Sequence, residues 1–314
     1  MASLHPQMQA RIDALGPEPD ALSVRIALRE PYGPAERWDL EVDDLTAPGP
    51  RGPVTVRRYA PRGLGSLAPG LVWLHGGSFD HGDLDMPEGD AVARGVAGRG
   101  GAVVLSVDYR LAPMADGSVG RGRPEWRFPA GLDDVVAGFT RAASRAEEMG
   151  IDPARLAIGG ASAGGCLAAG AVLRLQQQGI RPWQLLMAYP VLHPVLPEPS
   201  PELAAALRRM PPSLGFPPEL VASMCHNYLG GAEPVPEAFP GLAPDLSGFP
   251  ETYLENAELD DLRSSGEQFA QQLRAAGVDV EQVTCPDVPH GHLNRLGLDA
   301  ASATMDRLAA RLSR

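Results

Sequence analysis

The pentapeptide Gly160-Ala161-Ser162-Ala163-Gly164 constrains this chain more than any other stretch, because it joins an apolar run, Leu156 to Ile158, to a segment rich in helix formers. That is the context of a nucleophile elbow, a tight strand-to-helix turn that lifts a serine hydroxyl out of a sheet. Such a turn leaves almost no room for side chains two positions before and two after the serine, so Gly160 and Gly164 have a steric reason to be glycine. It also sets the serine at a helix N-terminus, where free N–H groups and the dipole favour developing negative charge. The pattern points to Ser162 as a nucleophile. The same five letters also occur in loops and helix caps, the more so in a chain with 36 glycines, so the reading depends on what accompanies it.

Upstream, a second apolar run, Leu71-Val72-Trp73-Leu74, ends in His75-Gly76-Gly77-Ser78-Phe79. Acyl transfer needs N–H donors aimed at a carbonyl oxygen as it becomes an oxyanion, and a glycine-rich loop brings bare backbone close enough to supply them. Alone, His75-Gly76-Gly77 reads as an ordinary turn after a strand. Beside the serine elbow it reads as part of one catalytic site.

Short apolar runs alternate with helical patterns along the chain. Trp38-Leu40-Val42 and Val54-Val56 alternate with polar residues as half-exposed strands do, whereas Leu71 to Leu74, Ala102 to Val107, Leu156 to Ile158 and Leu185 to Tyr189 read as buried strands. Helices are expected near 129 to 149 and 163 to 178. This rhythm predicts an α/β fold with a mostly parallel sheet, helices on both faces and antiparallel strands at the N-terminal edge, with ligands bound at the carboxyl ends of the strands. At 314 residues and 44% hydrophobic content, one large domain spanning 1–314 is expected. Two segments leave the rhythm: a short helical pattern from Met8 to Leu15, stopped by Gly16-Pro17, and a proline-rich stretch from about 192 to 240 with helix candidates at 202 to 210 and 217 to 229.

The charge balance excludes several classes. Net charge is −12 and every strong cation is arginine, so neither nucleic acid nor an anionic membrane is an expected partner. Cys166, Cys225 and Cys285 are widely separated and form no C-x-x-C, which suits a reducing compartment. Cys166 falls among small residues after Ser162 and is expected to pack rather than react. No basic N-terminal region precedes an apolar core, and no stretch approaches the roughly eighteen apolar residues of a membrane span, so cytoplasmic residence is the expectation. The histidines show no metal-ligand spacing and the glycine-rich stretches lack the lysine of a phosphate-binding loop; no metal or cofactor is expected.

The strings HGGSF, SVDYRLAP, GGASAGG, ELDDLRSSGEQFAQQLRAAGV and VPHGH fall in one order along nearly the whole chain. In that order and spacing the sequence resembles the hormone-sensitive-lipase-like esterases, a branch of the α/β-hydrolases. The resemblance implies an α/β-hydrolase fold with a helical cap contributed by about 1–37 and 192–240. It implies a triad of Ser162, Asp260 and His290, with oxyanion donors from the amides of Gly77, Ser78 and Ala163, and a small-molecule ester of short to medium acyl chain as substrate. Leu203, Leu207, Phe216, Leu220 and Met224 are expected in the pocket walls or in the core beneath the cap. The protein is expected to be a monomer or homodimer.

Several positions depart from the family pattern. Ser78 stands for its third glycine, Ala161 for an acidic residue before the nucleophile, and His292 for a phenylalanine. Residues two apart in extended chain point opposite ways, so one of His290 and His292 faces Ser162, and the motif register favours His290. Met114 to Arg123 reads as an inserted surface loop, either a solvated excursion or a rim over the pocket. Two other functions stay open: acyl transfer or amide hydrolysis on a specialised metabolite with the same triad, and a non-catalytic small-molecule binding protein on the same fold.

Overall fold

The computed structural model describes residues 4–314. Helices α1 (Pro6–Asp13) and α2 (Ala21–Arg29) precede strands β1 (Leu40–Gly49), β2 (Gly52–Pro61) and β3 (Ala68–Leu74). Then follow α3 (Asp90–Gly100), β4 (Val103–Val107), α4 (Ala130–Ser144), β5 (Ile151–Ala161), α5 (Ala163–Gln177) and β6 (Gln184–Ala188). Helices α6 (Pro201–Leu207) and α7 (Pro218–Leu229) interrupt the alternation before β7 (Glu251–Leu259), α8 (Arg263–Ala275), β8 (Val280–Pro289) and α9 (Asp299–Leu312).

The eight strands form one sheet in the order β1-β2-β4-β3-β5-β6-β7-β8. β1 and β2 run antiparallel at one edge, and every pairing from β4 through β8 is parallel. Every residue of β3, β4 and β6 is buried, because alternate side chains feed two different layers. Val72 and Leu74 enter the layer built with α4, α5 and α8, while Leu71 and Trp73 enter the layer built with α3 and α9. The two-faced parallel sheet expected from the rhythm is present. Trp38 falls outside β1 and lies on α3 instead, in the space that a Cβ at Gly98 would fill. The helix anticipated over 129–149 stops at Ser144, and a short 3-10 turn, Glu147–Met149, followed by Gly150 in the left-handed region at φ 79°, leads into β5.

Helices α1 and α2 join the α3/α9 layer through Met8, Val24 and Leu28, and α2 meets the turn at Pro212–Leu214. Helices α6 and α8 are also joined by charge. Arg263, at the start of α8, donates to Glu202 of α6 at 2.7 and 3.2 Å and to Glu267 at 2.7 Å. Among the expected wall residues, Leu203 and Met224 are core, Leu207 is partly buried, and Leu220 faces solvent.

Strand β7 carries polar side chains in the middle of the molecule, which is why hydropathy does not reveal it. Thr252, Glu255 and Asn256 are all fully buried. Glu255 accepts from Tyr253 Oη at 2.6 Å, Thr304 Oγ1 at 2.6 Å, and Arg307 Nε and Nη2 at 2.8 Å each. The carboxylate thus clamps α9 to β7. Arg307 is one-third exposed, so removing Glu255 leaves its charge partly solvated but strips Tyr253 and Thr304 of their buried acceptor, at a cost of about 1–3 kcal/mol. Glu255→Ala is therefore expected to lower the unfolding free energy by about that amount, read from urea midpoints, whereas a change below about 1 kcal/mol would mean that Tyr253 and Thr304 find equivalent partners unaided.

Candidate active site

Ser162 sits at the end of β5 with φ 53° and ψ −121°, a strained backbone for a residue with a side chain. The turn is held by Ser162 N–H donating to the Ala188 carbonyl at 2.9 Å. A Cβ at Gly160 would lie 2.5 Å from the Gly164 carbonyl carbon, and one at Gly164 would overlap the carbonyl oxygens of Leu74 and His75. Both glycines are therefore required by close approach of backbone to backbone. Ser162 begins α5, whose small residues Ala163 to Ala171 are all buried. Cys166 lies there with its thiol directed at the Ala238 carbonyl, 3.1 Å away, and burial pushes that thiol well above its usual range.

The turn after β3 meets this elbow. Gly77 has φ 114°, and Ser78 and Phe79 continue in the left-handed region at 52° and 66°. Three consecutive positive φ values fold the chain into a tight turn, closed by the Asp80 and His81 N–H groups donating to the Gly77 carbonyl at 3.0 Å each. The turn is anchored at both ends. The fully buried His75 ring stacks on Tyr109 with centroids 4.5 Å apart, and burial pushes it down to about 4, so it stays neutral. Phe79 stacks on Tyr228 of α7 at 4.0 Å.

Gly76 N–H donates to Glu88 Oε2 at 2.6 Å. The other carboxyl oxygen of Glu88 accepts from Tyr189 Oη at 2.7 Å and Asn294 Nδ2 at 3.1 Å. Glu88 is 1% exposed, and burial pushes its carboxyl above the usual range against the pull of these donors. It ties together the turn after β3, the residue after β6 and the segment after His290. Sequence reading missed it, since nothing in Asp83 to Asp90 marks one acid among four. The amides of Gly77, Ser78 and Ala163 donate to no protein oxygen among the described residues.

Asp260 and His290 leave the sheet side by side, because Leu259 pairs with Pro289 across β7 and β8 and each residue of interest comes next. His290 Nδ1 is 2.7 Å from Asp260 Oδ2, and His290 Nε2 is 2.9 Å from Ser162 Oγ. Leu262 N–H donates to Asp260 Oδ1 at 3.0 Å. His292 points the other way: fully buried, it contacts Thr304 Oγ1 at 2.9 Å. Phe216 is the one expected wall residue that borders the serine, and its ring lies 4.6 Å from that of His290. Its backbone N–H donates to Asp261 Oδ2 at 2.7 Å, which fixes the segment between α6 and α7 to the loop bearing Asp260.

These residues open on a cavity of about 230 Å³ bordered by Gly77, Ser78, Glu88, Ser162, Phe216 and His290, and also by Arg29, Asn294 and Arg295. No residue of the 114–123 loop lines it. That loop packs instead behind the turn after β3, where Ala115 N–H donates to Asp80 Oδ2 at 3.0 Å and Arg121 reaches Asp108 at 2.7 Å and the Gly82 carbonyl at 3.1 Å. The rim reading fails on position. Glu255, Cys285 and His292 bring ligand-type atoms within 4.8 Å of one another, but the carboxylate already accepts from Arg307, Thr304 and Tyr253. No helix of the described residues is long and apolar enough to cross a membrane.

Burial pushes His292 down to about 3, below the 6.5 of an exposed imidazole. Between those values the unfolded chain binds a proton that the folded protein refuses, so stability falls as pH falls through that window. From pH 7 to pH 5 the loss from this one residue is about 2 kcal/mol. His292→Phe is expected to lose about 2 kcal/mol less than the wild type over that interval in urea unfolding, and equal losses in the two proteins would show that His292 takes up its proton while folded.

A family described as having the alpha/beta hydrolase fold matches residues 71–294. Carboxylic ester hydrolase LipN of Mycobacterium tuberculosis is 34% identical over 315 aligned residues, which cover 95% of this chain and 78% of that protein. Carboxylesterase NlhH of the same organism is 36% identical over 272 residues, covering 83% and 78%. Among solved structures, esterase LipW from Mycobacterium marinum superposes with a TM-score of 0.72 at 32% identity, covering 87% of this chain and 81% of that one. With its fold, its ordered motifs and these relatives in agreement, the chain belongs to the hormone-sensitive-lipase-like carboxylesterases of the α/β-hydrolase superfamily.

Proposed function

We propose that this protein is a serine carboxylesterase that hydrolyses short- to medium-chain carboxylic esters through an acyl-enzyme on Ser162. The observation that carries the reading is the continuous relay from Asp260 Oδ2 to His290 to Ser162 Oγ, with contacts of 2.7 and 2.9 Å. Both contacts are satisfied when Nδ1 carries the ring proton and donates it to Asp260, which leaves Nε2 to accept from the serine hydroxyl. As Oγ attacks the ester carbonyl, His290 takes its proton and Asp260 stabilises the imidazolium. The carbonyl oxygen becomes an oxyanion within reach of the amides of Gly77, Ser78 and Ala163, which have no competing acceptor. His290 then returns the proton to the leaving alcohol, and water repeats the sequence on the acyl-enzyme.

The side chains at the departures fit this scheme. Ser78 contributes through its backbone, so its hydroxymethyl group does not disturb donation. With alanine at 161, a buried acid outside the triad, Glu88, borders the cavity and holds Gly76. We read about 1–37 and 192–240 as the cap, a reading supported by Leu28, Arg29 and Phe216, which come from those segments and border the cavity.

Two measurements test the proposal. Ser162→Ala should lower kcat by ~10⁴ or more, and a fluorophosphonate probe should label Ser162 and leave Cys166 untouched. Residual activity of a tenth, or label on the thiol, would sink the assignment. Across p-nitrophenyl esters from acetate to laurate, kcat/KM should rise by at most about 0.8 kcal/mol per methylene, peak between roughly two and eight carbons, then fall as the chain meets the cavity wall. A steady rise through the longest chains would replace this reading with that of a true lipase.

A further inference from the structure

The arginines of this acidic chain are mostly held against carboxylates, and two that are not border the cavity containing Ser162. Arg29, at the C-terminal end of α2, and Arg295, five residues beyond His290, make no ion pair among the described residues. Arg295 donates from Nη1 to the carbonyls of His290 and Gly291 at 3.3 and 2.9 Å, while its Nε is buried with no acceptor. Burial and the nearby Arg29 both act to lower its proton affinity, so the two cations share one region of field. The carboxylate closest in charge is Glu88, and it is already engaged by Gly76, Tyr189 and Asn294.

A guanidinium does not discharge by losing its proton, and a desolvated cation beside a like charge is costly unless an anion arrives. Arg295, with the exposed Arg29 beside it, borders a small cleft and focuses a positive potential there in a protein whose net charge is −12. The donors left open on a planar guanidinium match a carboxylate in geometry as well as charge. Resting on the carboxylesterase reading above, we propose that Arg29 and Arg295 form a subsite for a carboxylate on the substrate, so that this protein prefers esters bearing a free carboxylate away from the scissile bond, as in half-esters of dicarboxylic acids.

The test compares matched esters in which a methyl group becomes a carboxylate. The pairs are p-nitrophenyl pentanoate against mono-p-nitrophenyl glutarate on the acyl side, and 4-methylphenyl acetate against 4-acetoxybenzoate on the alcohol side. In at least one pair the acid should lead in kcat/KM by about tenfold or more, the scale of a charge-assisted hydrogen bond. That ratio should collapse toward one in Arg29→Gln and in Arg295→Gln, and shrink in the wild type at high ionic strength. Arg29 is exposed on a short helix, so its variant folds even if Arg295→Gln does not. Neutral esters that turn over while both acid partners are no faster, with ratios unmoved by Arg29→Gln, would overturn the subsite and leave the carboxylesterase reading intact. Should no ester turn over, that reading fails by itself. Calorimetry of monomethyl glutarate against methyl pentanoate on the Ser162→Ala protein then still decides the subsite, with tighter binding of the acid expected and equal binding overturning it.

Discussion

Everything at the top of this sheet depends on two turns that touch backbone to backbone. The segment after β3 crosses the elbow after β5 so closely that no side-chain atom fits at Gly160 or Gly164, and a Cβ at Gly76 would meet both the Glu88 carboxylate and Ser162. Because those atoms are missing, the turn bearing Gly77 and Ser78 lies against the elbow bearing Ser162 and Ala163. The strain at Ser162, Ser78 and Phe79 is stored there and is opposed by the buried parallel strands beneath, whose layers hold Trp73, Leu74 and Ile158 on alternate faces.

How much of this was legible in the sequence follows from how local each signal is. The elbow and the glycine turn are local: steric demand writes itself into adjacent letters, and Ser162 and His75 to Ser78 could be singled out from them. The β3, β4, β5 and β6 runs were equally readable, since strands buried on both faces are uniformly apolar. Asp260 and His290 were not. Nothing in their own neighbourhoods distinguishes them from Asp261 or His292, and only the family resemblance separated them; the fold brings them within 2.7 Å of each other and His290 within 2.9 Å of Ser162. β7 escaped periodicity because its interior polar residues are satisfied by α9, a partner remote in sequence. Glu88, Tyr189 and Arg295 escaped for the same reason, each defined by what it meets rather than by what flanks it.

The placement of buried charge separates two uses of the same residue types. Glu255 is matched donor for donor by Arg307, Thr304 and Tyr253, and its effect is to join α9 to the sheet. Glu88 is met only by neutral donors, Gly76 N–H, Tyr189 Oη and Asn294 Nδ2, and burial pushes its carboxyl above the usual range. Arg295 is the converse, a cation whose only partners are carbonyls. Both groups border the cavity that contains Ser162.

The pairing of Leu259 with Pro289 has a consequence for how such chains diverge. Asp260 and His290 emerge from neighbouring strands one step past the same rung of the ladder, so their spacing is set by the pairing of β7 with β8, with Leu262 N–H at the start of the connection holding the Asp260 carboxylate. Beyond Leu262, α8 and the turn after it are a detour. Residues added to or removed from that detour, or a new pair of termini opened within it, leave the two side chains in place as long as the rung survives, and a loop grows at the small logarithmic cost of closing a longer one. Alignments of related chains should therefore show insertions and deletions gathered between the acid and the base, while the distance from the glycine turn to the elbow is policed by contact and stays within the limits of two touching backbones.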